Sequence, residues 1–213
     1  MFSAASARSR QPTNQAVYKP VGPSPAPWQA GRVILATPRL LIRDWTIDDA
    51  EAVLDVHSRV EVVKWLGDGE PKPMKDLAEA QERIGTWLMR DDPPCGFWAV
   101  QVADGGPLDG RAIGSVLLVP LPNNEHGEIE IGWHLHPDAW GHGYAPEAAR
   151  AILARGFDAG LPEIHAVTHL TNEPSMSVAR KIGMEHRGQV TSWYDDPSQH
   201  FGVTREQWDA QKV

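Results

Sequence analysis

The chain has 213 residues, of which 41% are hydrophobic, 23% charged and 8% aromatic, the profile of one globular domain with room for an appendage. That profile excludes collagen, coiled coil and wholesale disorder, and no run of 18 apolar residues offers a membrane-spanning helix. A net charge of −8 argues against nucleic-acid phosphates as partner, while a single cysteine, Cys95, rules out an internal disulfide framework and fits a reducing compartment.

Residues 1–31 are rich in Ser, Ala, Pro and Gln and poor in branched apolar side chains, so they read as an arm that cannot fold alone. The arm is expected to be flexible, or docked through Tyr18 and Trp28 on the body or on a second subunit, which keeps a homodimer among the expected assemblies. Residues 1–43 hold six basic side chains and no acidic one, so the remainder of the chain is strongly acidic. An acidic body suits a cationic substrate such as an amine, or is merely a solvated face.

From residue 32 the pattern is that of one folded domain ending at 213. Residues 33–35 and 40–42 are short aliphatic strands. Thr46 is a helix N-cap, with Asp48 and Asp49 in the first turn where the helix dipole favours acids. Ala50, Val53, Leu54 and His57 continue at helical spacing, and a second helix is expected over 74–89 with Leu77, Ile84 and Leu88 on one stripe. Residues 97–102 and 112–119 form a hairpin, and 128–136 alternate polar and apolar so that Ile129, Ile131, Trp133 and Leu135 face a core. A helix over 146–157, a strand over 164–170, a short helix over 174–182 and a terminal hairpin complete an α/β fold with a mixed sheet.

The stretch with most chemistry is strand–turn–helix: Glu130-Ile-Gly-Trp-His-Leu-His-Pro-Asp138-Ala-Trp140-Gly141-His142-Gly143-Tyr144-Ala145-Pro146-Glu147-Ala148. Two glycines at G-x-G spacing let the backbone turn tightly, and the free amides of a helix N-terminus then converge where a phosphate binds, or the loop merely caps the helix. Pro146 in the first turn gives up a donor that would be orphaned in any case.

This stretch resembles the coenzyme-binding motif of the GNAT acetyltransferase superfamily, and in wording its RimJ/RimL-type branch, the ribosomal-protein N-terminal acetyltransferases. Thr37-Pro38-Arg39-Leu40-Leu41-Ile42-Arg43 resembles that branch's opening, and Asn172-Glu-Pro-Ser175 followed by Lys181-Ile-Gly183-Met184 resembles its N-x-x-S…K-x-G-F segment, with Met184 in place of Phe. The likeness runs from about 33 to 208. It implies a GNAT fold whose mixed sheet is splayed between the fourth and fifth core strands, with acetyl-CoA as co-substrate and a cytoplasmic setting. Trp140, Gly141, His142, Gly143, Tyr144 and Ala145 would hold the coenzyme diphosphate, and the backbone of Trp133, His134 and Leu135 its pantetheine arm.

Within that resemblance Glu130 is assigned as the proton acceptor for the incoming amine, or else as a structural carboxylate bonding a neighbouring strand; Glu128 and His134 are its reserves. The Tyr that many superfamily members use as acid falls at Ala179, so Ser175 is assigned to the departing sulfur, with a first-turn helix cap as its alternative, and Asn172 to the pantetheine arm. Glu128, Trp45 and Trp65 are expected on the acceptor side. Asp138 stands where the superfamily has Gln or Arg, and its side chain is expected to point away from the diphosphate. The nine histidines form no recognisable four-ligand spacing, so no metal is expected, and Cys95 reads as a loop thiol. The implied reaction is N-acetylation of a primary amine by direct attack, favouring a protein N-terminal α-amine. A small amine (aminoglycoside, polyamine or amino acid) is the alternative, and a silent acyl-CoA-binding protein a third reading.

Overall fold

The computed structural model describes residues 31–67, 70–90 and 92–211; the proposed docking of Tyr18 and Trp28 lies outside them. Two short strands, β1 (Val33–Ala36) and β2 (Leu40–Asp44), open the chain. Three helices follow, α1 (Ala50–His57), α2 (Val60–Val63) and α3 (Leu77–Leu88). Then come β3 (Gly96–Val102), β4 (Ala112–Pro120), β5 (Ile129–Leu135), α4 (Tyr144–Asp158), β6 (Glu163–His169) and α5 (Glu173–Lys181). Strands β7 (Glu185–Val190) and β8 (Ser198–Thr204) and the helix α6 (Arg205–Ala210) close it.

The eight strands form one sheet in the order β1-β2-β3-β4-β5-β6-β8-β7. All neighbours are antiparallel except β5 and β6, so the sheet is mixed. Residue alternation sets its two faces. Trp98, Val100, Ile131 and Leu135 point to a core built on Ile152, Leu153 and Phe157 of α4, while Ala99 points the other way, to Trp45, Ile84 and Trp87 under α1 and α3. Helix α4 lies close on the sheet because Gly156 has no side chain; a Cβ there would sit 2.7 Å from Ile164 Cδ1.

Local chemistry moves several element ends from their expected places. The helix expected over 74–89 starts at Leu77 because Asp76 caps it, its Oδ1 accepting the Glu79 amide at 3.0 Å. Thr46 does cap, but the turn it opens is a 3-10 turn, Ile47–Asp49, closed by an Asp49 carboxylate that accepts both the Thr46 amide and hydroxyl at 2.9 Å. The terminal hairpin is present, with β8 inserted between β6 and β7, but it is not the end of the fold. Helix α6 follows, opened by a capping box between Thr204 and Gln207, and it seats Trp208 against Phe157 at 5.5 Å. That T-x-x-Q signature was legible in the sequence.

Candidate active site

Strands β5 and β6 run parallel and pair at one position only, Glu130 with His165. Beyond it they separate, and the gap between them is the floor of a cleft of about 910 Å³, in the upper range for small-molecule sites. Counting β1 and β2 separately, the splay falls between the fifth and sixth strands. Parting costs β6 its ladder partners on the β5 side, and one is replaced by a side chain: the Val167 amide donates to Glu130 Oε1 at 3.3 Å. The other carboxylate oxygen, Oε2, accepts the Tyr194 hydroxyl at 2.5 Å. Burial pushes the Glu130 carboxyl up to about 7, partly offset by these two hydrogen bonds. Tyr194 also lines the cleft, and burial with the Glu130 charge beside it drives its own ionisation upward, so it remains a donor.

The far end of the cleft is the 140–145 loop and the mouth of α4. Gly141 and Gly143 both take left-handed backbone, φ 79° and 80°, which a side chain would strain. The amides of Tyr144 and Ala145 lie in the first helical turn, where the helix itself supplies no acceptor. The Trp140 indole donates to the Leu135 carbonyl at 2.9 Å and ties the loop to the end of β5. Asp138 is directed elsewhere, its carboxylate 3.7 Å from Arg111 Nη1.

The remaining sequence assignments divide. Trp133, His134, Leu135, Trp140, Gly141, Gly143, Tyr144, Ala145, Asn172, Ser175 and Trp65 all line the cleft. The His142 ring stacks on Tyr144 at 5.5 Å and is not among the lining groups. Asn172 is the α5 cap, its Oδ1 accepting the Ser175 amide at 3.2 Å. That leaves the Ser175 hydroxyl, which was expected either to cap or to act, without a hydrogen bond among the described residues. His134 faces His57 with ring centroids 4.8 Å apart, and burial, then His57 and Arg83, holds it well below its ordinary value. It is therefore a poor proton acceptor near pH 7.

Two expectations fail. Trp45 is no acceptor contact: it is 2% exposed in the core under α1 and α3, packed on Trp87 at 5.6 Å, because its residue parity turns it inward. Glu128 lies before the strand, outside the cleft lining, and its carboxylate is used locally by the His126 amide at 3.1 Å. Cys95 does not line the cleft either, and burial raises its thiol. Among the described residues no three His, Cys, Asp or Glu side chains are grouped to hold a metal ion, and no helix is long and apolar enough to cross a membrane. Tyr194 was missed, since its β7–β8 loop carries no motif and reaches Glu130 only through the order of strands.

A sheet opened at one parallel pair, with a left-handed glycine loop at the mouth of the next helix, agrees with what comparison finds. Residues 39–185 match the acetyltransferase (GNAT) domain family. The chain belongs to the GNAT acetyltransferases. It is 32% identical over 162 residues to the uncharacterized N-acetyltransferase YoaA of Bacillus subtilis (strain 168), covering 75% of this chain and 87% of that one. It is 27% identical over 191 residues to FsC-acetyl coenzyme A-N(2)-transacetylase of Aspergillus fumigatus, covering 82% and 77%. The crystal structure of a GNAT-family acetyltransferase from Bacillus anthracis superposes with a TM-score of 0.62 at 26% identity, over 79% of this chain and 96% of that one. AAC(6')-Ib, solved with ribostamycin and coenzyme A, shares the fold with a TM-score of 0.64 at 20% identity, over 82% and 98%.

The enzyme is thus an N-acetyltransferase that uses acetyl-CoA. The residues present fit that donor: the cleft runs unbroken from the parted strands to the α4 mouth, and neither Gly141 nor Gly143 places a side chain over the loop amides.

Proposed function

We propose that this GNAT enzyme acetylates a primary amine by direct attack, with Glu130 as proton acceptor. Acetyl-CoA supplies an activated acetyl thioester. The loop amides of 141–145 and the α4 dipole hold its diphosphate, and the β5 edge at Trp133 and His134 aligns its arm. The amine nitrogen bonds to the acetyl carbon, the carbon–sulfur bond breaks, and the amine proton passes to Glu130 directly or through water. Ser175 presents its hydroxyl to the departing thiolate.

One observation carries this reading: a carboxyl buried at the point where the strands part, with a proton affinity matched to neutral pH. Two oxygens offer about four lone-pair sites, so the Tyr194 and Val167 bonds leave room for an incoming proton. The structural role of Glu130, holding the Val167 amide, coexists with the chemical one.

For the acceptor, the RimJ/RimL-type wording of the motifs favours a protein N-terminal α-amine. A small amine is the second reading, and two observations favour it. Trp65 and His169 meet at 5.7 Å from opposite sides of the cleft, narrowing the approach for an extended chain. A relative at 27% identity also carries an N(2)-acetylation, and no protein terminus, in its name. Competing peptide α-amines against polyamines and aminoglycosides in one thiol-release assay decides between them. Preference for peptides upholds the first reading, preference for small amines replaces it, and no thiol release with any amine would overturn the catalytic assignment.

A further inference from the structure

The carboxylate of Glu147 stands in the first turn of α4, on the helix whose mouth receives the diphosphate. An unpaired negative charge there opposes an anionic ligand. It is not unpaired. Glu147 Oε1 accepts the Thr37 hydroxyl at 2.6 Å and the Arg39 amide at 3.0 Å, and Oε2 accepts Arg39 Nε and Nη2, both at 2.7 Å. Burial pushes the Glu147 carboxyl upward, but these bonds outweigh it and hold it below the usual carboxylate range. The third guanidinium nitrogen, Nη1, donates to the His142 carbonyl at 2.8 Å, in the middle of the G-x-G turn. The same guanidinium lies 4.9 Å from the centre of the Tyr144 ring, and a Cβ on Gly143 would stand 3.4 Å from its Nη2.

We infer that Arg39 is a positioning residue for the coenzyme loop: it neutralises Glu147 and turns the His142 carbonyl away, so that the loop amides face the diphosphate. Neither Arg39 nor Glu147 lines the cleft, so both act through the loop and not by touching the ligand. A fork that engages a carboxylate and a carbonyl at once is a task a lysine cannot copy. The partners lie more than 100 positions apart in sequence, so the clamp fixes the α4 mouth to the turn between β1 and β2. This inference rests on the proposed assignment of the 141–145 loop to the diphosphate.

The test is calorimetric titration of the whole protein with coenzyme A, which needs no acceptor, alongside thermal melts. Arg39→Met should weaken coenzyme A at least about tenfold, and Arg39→Lys by an intermediate amount. Adding Glu147→Gln to Arg39→Met removes the uncompensated charge and should recover about threefold or more of the lost affinity even though it deletes a further ion-pair partner. A scaffold role predicts the reverse, a double variant that binds no better than the single one. Pantetheine, which lacks the diphosphate, should bind the wild type and Arg39→Met alike. Arg39→Met within twofold of wild type, or a double variant without recovery, overturns the clamp. Unchanged coenzyme A affinity in Gly143→Val would instead overturn the loop assignment beneath it. If Arg39→Met does not fold, Arg39→Gln, equally neutral, with and without Glu147→Gln gives the same decision.

Discussion

Glu130 carries two loads at once, one structural and one chemical, and the balance between them is measurable. Glu130→Gln keeps one acceptor oxygen for the Val167 amide, turns its NH2 donor to the Tyr194 oxygen, and cannot take a proton. Turnover should fall about 100-fold while coenzyme A affinity holds; unchanged turnover would remove Glu130 as base. With the carboxyl at about 7, wild-type kcat should rise with pH through that value and then level, and the variant should lose this limb. Tyr194 donates to the ionised form and so lowers the proton affinity that burial has raised. Tyr194→Phe should therefore move the limb to higher pH and cost about three- to tenfold in rate at pH 7. A limb that moves downward, or stays, would show that the hydroxyl does not tune the carboxyl.

At the scale of elements, the decisive unit is β5, the 136–143 turn and α4. Its two left-handed glycines let the chain reverse sharply while leaving the first-turn amides bare. Gly143→Val forces a β-branched residue to φ near 80°, at a cost of about 1–3 kcal/mol, and displaces the loop. Coenzyme A binding should weaken at least about tenfold with the acceptor end of the cleft intact, as read by titration calorimetry. Helix α4 itself is anchored by a stripe of fully buried side chains, Ile152, Leu153 and Phe157. Phe157→Ala should cost about 3–5 kcal/mol of stability, seen as a lower denaturant midpoint, because the sheet and Trp208 close around that ring on both sides.

At the scale of the whole molecule, pH acts on stability through groups of opposite sign. Burial holds His57 and His200 down at about 4 and His134 well below 6.5. The unfolded chain therefore binds protons at these sites below pH 6.5 while the folded chain does not, and stability falls as pH drops from 6.5 toward 4. Glu130 works against this: its folded carboxyl keeps a proton up to about 7 and its unfolded one only to 4.5, so its contribution is present at low pH and is lost as pH rises through that window. The histidines outnumber it, so the net slope from pH 4 to 6.5 is upward. Glu130→Gln deletes the opposing group, and urea melts across this range should show a steeper slope than wild type; an equal slope would mean that Glu130 is already ionised throughout.

What could be read along the chain was what depends on neighbours in the chain. The period-2 run of β5, the G-x-G turn and the order of most strands and helices follow from local sterics and hydrogen bonding, and the motifs they carry were enough to point to the family. Trp45 and Trp65 look alike in sequence, and only packing separates them, one sealed under α3 and the other on the cleft. The partners that set the site's electrostatics were likewise beyond reach: Tyr194 meets Glu130 across 64 positions, and Arg39 meets Glu147 across 108. Such pairs are fixed by the order in which strands take their places in the sheet, a long-range consequence of burying two faces at once, and no local pattern encodes it.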